Sequence, residues 1–259
     1  MANRPTLESW RTGITLIRPN EIHYRGVPID EIIESWSFPA TVWLLLTGAA
    51  PSAGQEDAIK RVLVAACDHG LAAPSIAAAR TVASTRGAPG VAMAAGLLAF
   101  AGPAHGGAAG ECARLLAEIR AGASDWPVPD AEVRHAIEGR LSQRLRVPGF
   151  GHPYHQRDPR VPGLMASIVE GDGYRRLARE IESIVIAAKG ERLAMNADAA
   201  VAALLMDAQL PVEAIDLVTS IGRCVGLAAH VQEENSHEAP FRAPSLASVE
   251  YIGPIAEGA

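Results

Sequence analysis

The sequence predicts a mostly α-helical fold, and three observations carry that reading. Half of the 259 residues are apolar (49%), while aromatics make up only 5% and alanine is abundant, a mixture that favours closely packed helices over a β-sandwich. Apolar residues recur at helical spacing almost without interruption from Pro28 to Asn235. Strand-like alternation is confined to two short stretches near the start, Gly13 to Ile17 and Glu21 to Tyr24, which flank Arg18-Pro-Asn20 and read as a hairpin.

The helices follow in order. Pro28 to Ser35 carries Ile29, Ile32 and Ile33 on one face. Pro39 to Thr47 is apolar nearly all round, as a core helix is. Gln55 to His69 and Ser75 to Ser84 are further helices, and Gly90 to Phe100 reads as a buried one. After a glycine-rich turn containing His105, Glu111 to Ala121 is helical. Gly122 to Pro129, with three Gly or Pro residues, suits a boundary. Ala131 to Leu145 and Val161 to Ala187 are amphipathic, and Asp198 to Gln209 and Val212 to Asn235 complete the set. The tail from Phe241 to Gly253 reads as extended.

Composition narrows the function. The net charge is −6 and the pI about 5.8, with no basic stripe, which argues against nucleic acid. The run Gly90 to Ala104 is too short to span a bilayer, and Met1-Ala-Asn-Arg-Pro starts no secretory signal. Cys67, Cys112 and Cys224 are odd in number and lack metal-ligand spacing, so they read as packed, reduced thiols of a cytoplasmic protein. No metal-binding set, dinucleotide fingerprint, nucleophile elbow or P-loop is present.

Chemistry concentrates in a few clusters. In Pro148-Gly-Phe-Gly-His-Pro-Tyr-His-Gln-Arg-Asp-Pro-Arg160, glycine and proline confine His152 and Arg160 in successive turns, an arrangement suited to holding a carboxylate and polarising a group beside it. His105 precedes two glycines and a helix start. It reads either as a turn residue capping that helix or as a neutral hydrogen-bond donor to a carbonyl that becomes an enolate, since a helix N-terminus disfavours imidazolium. Asp198 reads either as the N-cap of an alanine-rich helix or as a base. The two are more convincing as a pair, because a base of that kind needs an enolate stabiliser. His69 and Ser75 fit the end of one helix and the cap of the next. Arg160, Arg223 and Arg242 fit salt bridges or a ligand with several carboxylates. His135, His155, His230 and His237 read as structural or solvent-facing.

The order of these clusters resembles the citrate synthase superfamily along nearly the whole chain. Ile22-His-Tyr-Arg-Gly-Val-Pro-Ile29 is similar to its early hairpin, and Leu44-Leu-Leu-Thr-Gly48 to its next helix end. Gly102-Pro-Ala-His-Gly-Gly107 resembles its first catalytic histidine motif. Gly149-Phe-Gly-His152 with Asp158-Pro-Arg160 resembles its second, and Asn196-Ala-Asp198 its aspartate motif.

The resemblance implies a mainly α, two-domain helical fold: a large domain from 1–111 and 220–259, a small one from 112–219, and an active site in the cleft. It implies Asp198 as base on the acetyl-CoA methyl group, His105 as donor to the thioester oxygen, and His152 as the group that polarises the ketone of oxaloacetate. His69, Ser75, Arg160, Arg223 and Arg242 would bind substrate, Arg242 reaching the neighbouring subunit of a homodimer. Coenzyme A enters as part of the substrate, with no metal or other cofactor. The chain departs from the family in its shorter N-terminal region, in a His152-to-Arg160 spacing one residue short, and in Ala199-Ala200 after the aspartate, where bulkier residues are usual around the acyl pocket. The compact form is most like the citryl-CoA lyases. Citrate synthase, 2-methylcitrate synthase and a non-catalytic polycarboxylate- or CoA-binding paralogue are the alternatives.

Overall fold

The computed structural model describes residues 11–254; the N-terminal motif Met1 to Pro5 lies outside them. The fold is mainly helical. The expected hairpin is present as β1 (Thr15–Arg18) and β2 (Glu21–Tyr24), antiparallel with Arg18 opposite Glu21. A third strand, β3 (Val27–Pro28), pairs with β2 after a tight turn through Arg25 and Gly26, both at positive φ (51° and 90°). Arg25 ties the ribbon to the helix Phe38–Thr47. Its Nε and Nη2 donate to the Leu45 carbonyl at 3.3 and 3.0 Å, near the C-terminal end of that helix, where cations are favoured.

Eleven α-helices occur among the described residues: α1 (Ile29–Ser35), α2 (Phe38–Thr47), α3 (Ala53–Ala66), α4 (Pro74–Ala83), α5 (Pro89–Phe100), α6 (Ala108–Gly122), α7 (Asp130–Ser142), α8 (Val161–Met165), α9 (Gly173–Lys189), α10 (Ala197–Asp207) and α11 (Val212–His237). Local chemistry sets several ends. The Ser37 hydroxyl accepts from Ala40 N to start α2, and Gly48 at φ 84° closes it. Ser52 and Gln55 form a reciprocal capping box on α3.

The expected single helix from Val161 to Ala187 is broken into α8 and α9. Arg175 explains how the break is held. It is buried, its Nε bonds Asp207 at 2.8 Å, and its other nitrogens donate to the carbonyls of Met165, at the end of α8, and of Ser167, Val169 and Gly171 in the connecting loop. Five acceptors on one guanidinium satisfy a loop that could not otherwise be buried.

The chain forms two compact units. One draws on residues through Cys67 and on Ala101–Gly222. Its core is centred on α10, whose Ala199, Ala200, Ala202, Ala203, Leu204 and Leu205 are fully buried. Small side chains there let α3, α6, α8 and α9 pack closely around one helix.

The other unit draws on Asp68–Phe100 and on residues from Arg223. α4 packs along α5, and Leu227 and Val231 of α11 close a small core with Ile76, Ala79 and Ala92. A Cβ on Gly96 would lie 2.4 Å from the Leu227 side chain. Beside this core the Glu234 carboxylate, with no solvent exposure, is gripped by Arg80 Nε at 2.6 Å and by Arg242 Nε and Nη2 at 2.9 and 2.8 Å. The expectation of a buried helix at Gly90 to Phe100 is corrected for the single chain. Only Ala92, Gly96 and Phe100 of α5 are buried, while Val91 and Leu98 are well exposed, because its neighbours cover one face of an all-apolar helix.

Candidate active site

The eight expected site residues divide evenly between the units. His105, His152, Arg160 and Asp198 lie in the first, His69, Ser75, Arg223 and Arg242 in the second.

In the first unit two chain segments are laced together. Phe150 pairs with Met195 as a short antiparallel bridge. Gly151 N donates to the Ala194 carbonyl at 2.8 Å, Asn196 N to the Gly149 carbonyl at 3.0 Å, and Asn196 Nδ2 to the Gly151 carbonyl at 2.9 Å. The His152 turn is thus fixed to the residues that open α10. Gly149 has to be glycine: its φ is +85°, and a Cβ there would lie 2.6 Å from that of Ala199.

Asp198 is not the N-cap of α10. Asn196 holds that position, its Oδ1 accepting from Asp198 N at 2.9 Å and from Ala199 N at 3.4 Å. Asp198 stands in the first turn, half-buried, and its carboxylate is not needed for capping. Burial, with the Asp198 carboxylate adding to it, pushes the Cys112 thiol far above its usual range. That coupling puts the Asp198 carboxylate within electrostatic reach of the second turn of α6, which packs against α10. The His105 turn leads directly into α6, with His105 N donating to the Gly102 carbonyl at 2.9 Å. The helix that the His105 turn leads into, α6, thus packs against α10, the helix to which the His152 turn is fixed.

The state of His152 follows from its contacts. Its Nδ1 accepts from Tyr154 N and His155 N, both at 3.1 Å. With Nδ1 an acceptor, the neutral ring carries its proton on Nε2, a tautomer assigned from this network. Burial first, then the neighbouring His155, hold the imidazole below its ordinary range; Asp158 pulls the other way and Arg160 adds the least to the lowering. Neutral His152 is a hydrogen-bond donor at neutral pH.

Arg160 is braced by a residue that the sequence did not single out as a site residue. Both oxygens of Asp158, itself buried, accept from its guanidinium, at 2.9 Å from Nε and 2.7 Å from Nη2. Asp158 also accepts from Arg160 N at 3.0 Å and from Ala197 N, the first amide of α10, at 3.0 Å. The Arg160 hydrogen bonds outweigh burial and hold the Asp158 carboxyl down at about 2. Asp-Pro is a turn-initiating pair and Asn196 precedes an alanine-rich helix, so both supporting residues carried a readable signal. A cavity of about 420 Å³ is lined by Arg160 with Lys60, Arg61 and Leu164. A larger one, about 650 Å³, lies between α6 and α7 and involves none of the expected catalytic residues. Ala199 and Ala200 are both fully buried in the core, so their small size serves helix packing.

In the second unit, Asp68 Oδ2 accepts from Gly70 N at 3.1 Å and the carboxylate also accepts from His69 N, which shapes the His69 turn. Ser75 is fully buried in the first turn of α4. The buried Arg223 guanidinium lies over the Phe100 ring at 4.8 Å. Arg242 is forked onto Glu234, and its backbone N donates to the Ser84 hydroxyl at 3.0 Å. All three cysteines are free, Cys112 fully buried. Among the described residues no cluster of His, Cys, Asp and Glu is placed to hold a metal ion.

The chain thus has a mainly helical fold with two histidine turns and an aspartate in the first turn of a buried helix, and comparison with known proteins identifies the family. The model of the citrate synthase C-terminal domain matches residues 6–63 and 50–243. The chain belongs to the citrate synthase family. It is similar to the citryl-CoA lyase of Hydrogenobacter thermophilus, at 32% identity and a TM-score of 0.83, with 96% of each chain covered. It shares its fold with the ATP citrate lyase of Methanothrix soehngenii, at 18% identity and a TM-score of 0.86, covering 98% of this chain and 43% of that one. The 2-methylcitrate synthase of Shewanella oneidensis is 26% identical over 235 residues, 88% of this chain and 59% of the relative. The chain spans about 60% of the length of such curated relatives.

Proposed function

We propose that this chain makes or cleaves the carbon–carbon bond of citryl-CoA, interconverting it with acetyl-CoA and oxaloacetate, and that it is of the lyase type. The observation that carries the lyase reading is the likeness to a citryl-CoA lyase at 32% identity and a TM-score of 0.83, against 19% identity and a TM-score of 0.58 for a citrate synthase matched over as much of its length.

In the condensing direction Asp198 removes a proton from the acetyl methyl group. His105 donates a hydrogen bond to the thioester oxygen and so stabilises the enolate. The enolate carbon attacks the ketone of oxaloacetate, while His152 donates from Nε2 and delivers its proton to the new alkoxide. Cleavage runs the same steps backwards: His152 takes the hydroxyl proton, the bond breaks, and Asp198 returns a proton to the enolate carbon. Neutral His152 and the relief of Asp198 from capping are what support these roles. Arg160, braced by Asp158, binds a substrate carboxylate. His69, Ser75, Arg223 and Arg242 are assigned to the polycarboxylate by the resemblance alone. Coenzyme A takes part as the substrate thioester.

A homodimer belongs to the same reading, Arg242 acting in the neighbouring site. Its support is the apolar surface that one copy leaves exposed, Val91 and Leu98 on α5 and Leu246 and Ile252 in the tail. For that assembly we propose a functional division into 1–111 with 220–259 and 112–219; the compact units of a single chain reflect packing within one protomer. Reduced thiols support a cytoplasmic setting.

The test is proton exchange at the acetyl methyl of acetyl-CoA in deuterated buffer with an oxaloacetate analogue present. Wild type should exchange, and Asp198→Ala should not while still binding citrate. Exchange that survives Asp198→Ala refutes the base. Citryl-CoA should yield oxaloacetate. Release of free thiol from acetyl-CoA and oxaloacetate would favour a synthase, and no reaction with acetyl- or propionyl-CoA would favour a binding protein.

A further inference from the structure

The start of α6 has no cap of its own. Its N-cap position is Gly107, which has no side chain to offer. The missing acceptor comes from another helix: Asp216, in the second turn of α11, accepts from Gly110 N through Oδ1 at 2.8 Å. Gly110 is the third residue of α6, the place whose amide a capping oxygen ordinarily satisfies. The fit is tight, because a Cβ on Gly110 would lie 2.2 Å from Asp216 Oδ2. Glycine at this position is what admits the carboxylate.

The turn that carries His105 is built onto the same helix start. Gly107 N and His105 N both donate to the Gly102 carbonyl, at 3.2 and 2.9 Å, and Ala108 N donates to the His105 carbonyl at 3.4 Å. Fixing the first turn of α6 therefore fixes the backbone from which His105 projects. Asp216 is itself anchored in α11, where its carbonyl accepts from Ser220 Oγ at 2.7 Å and Thr219 Oγ1 at 3.1 Å. Its charge also counters the positive end of the α6 dipole close to His105. Glu111 and Arg114, both on α6, are the other charges acting on it.

We propose that Asp216 is a positioning residue for His105, a cap supplied across two helices that sets both the placement and the electrostatic surroundings of the thioester-oxygen donor. The catalytic half of this statement rests on the role assigned to His105 above; the positioning half does not.

The experiment compares wild type with Asp216→Ala, Asp216→Asn and Gly110→Ala, each checked for folding by circular dichroism. Methyl proton exchange is followed with the 15N signals of the His105 ring, assigned through His105→Gln. Asp216→Ala should slow exchange about fivefold, the effect of about 1 kcal/mol of lost capping, and should move the His105 signals. Citrate binding should not change. Asp216→Asn keeps an acceptor for Gly110 N and loses the charge, so it should recover most of the rate while shifting the His105 titration. Gly110→Ala drives its Cβ into the carboxylate and should match Asp216→Ala, with the double variant no worse than either. An Asp216→Ala protein that exchanges at the wild-type rate with unmoved His105 signals overturns the proposal, even if its Tm falls. Were wild type to show no exchange, the His105 signals alone would decide the positioning claim, and the failure would belong to the catalytic reading.

Discussion

Replacing Asp158 with asparagine should loosen the join between the His152 turn and α10, and the cost can be worked from the structure. The buried carboxylate accepts four hydrogen bonds, three from Arg160 and one from Ala197 N. Together they bring its pKa from 3.8 to about 2. At about 1.4 kcal/mol per pKa unit, the ionised form contributes about 2 kcal/mol to stability near neutral pH. Asparagine also turns one acceptor into a donor facing other donors, which adds to the loss. For a chain of this size, about 2 kcal/mol lowers Tm by about 4 to 8 °C.

The sign with pH follows from the depressed pKa. The contribution is complete above the unfolded value, near 4, and disappears as pH falls through about 2. At pH 3 roughly half should remain. Urea denaturation of wild type and Asp158→Asn at pH 7, 5, 4 and 3 measures this directly. The gap between the two proteins should be constant from pH 7 to 5 and then narrow. A gap that is absent at pH 7, or that stays fixed down to pH 3, refutes the reasoning.

Gly149→Ala should cost about 2 to 4 kcal/mol, from a positive φ and a Cβ 2.6 Å from that of Ala199. Ala199→Gly in the same chain should return only the part of the cost due to the Ala199 Cβ, since Ala199 N and Cα would still lie 2.9 and 3.0 Å from the new Cβ; chemical denaturation of the single and double variants measures that part. Glu234→Ala should destabilise the second unit by about 3 to 5 kcal/mol, since it leaves the buried Arg80 without its innermost partner. It should also release the tail, which hydrogen exchange at residues near Arg242 would detect. Hydrogen bonding from Arg242 holds the Glu234 carboxyl below its usual range, so acid should weaken this unit progressively, starting as pH falls through the ordinary carboxyl range and ending below the depressed value.

The helical class, the hairpin and the order of the motifs were legible because each depends on local pattern. Alternation marked β1 and β2, and glycines and prolines marked the turns around His105 and His152. Features that depend on distant partners were not legible. The loop between α8 and α9 is held by one arginine, Arg175, which supplies donors to three of its carbonyls and to that of Met165 at the end of α8, and salt-bridges Asp207; helical spacing alone continues straight through it. α5 reads as buried because every residue is apolar, yet burial needs neighbours on all sides, and one chain does not provide them.

The site shows the same division at finer scale. The motifs drew attention to His105, His152, Asp198 and Arg160, while the residues that hold them carried only turn and cap signals that did not name their partners. Asn196, Asp158 and Gly149 do that holding. Each makes a polar or steric contact that fixes a neighbour, and none has the reactivity that draws attention in a sequence. Their arrangement also bears on Asp198, which as a cap would be a weaker base. A separate residue two positions earlier accepts the helix amides, and a separate carboxylate accepts the first amide of the helix and Arg160. With those demands met elsewhere, Asp198 is not required for capping, as the proposed role of base asks. Asn196→Ala would reverse that separation, because Asp198 would be drawn toward the uncapped amides and its value as a base would fall along with the stability of α10.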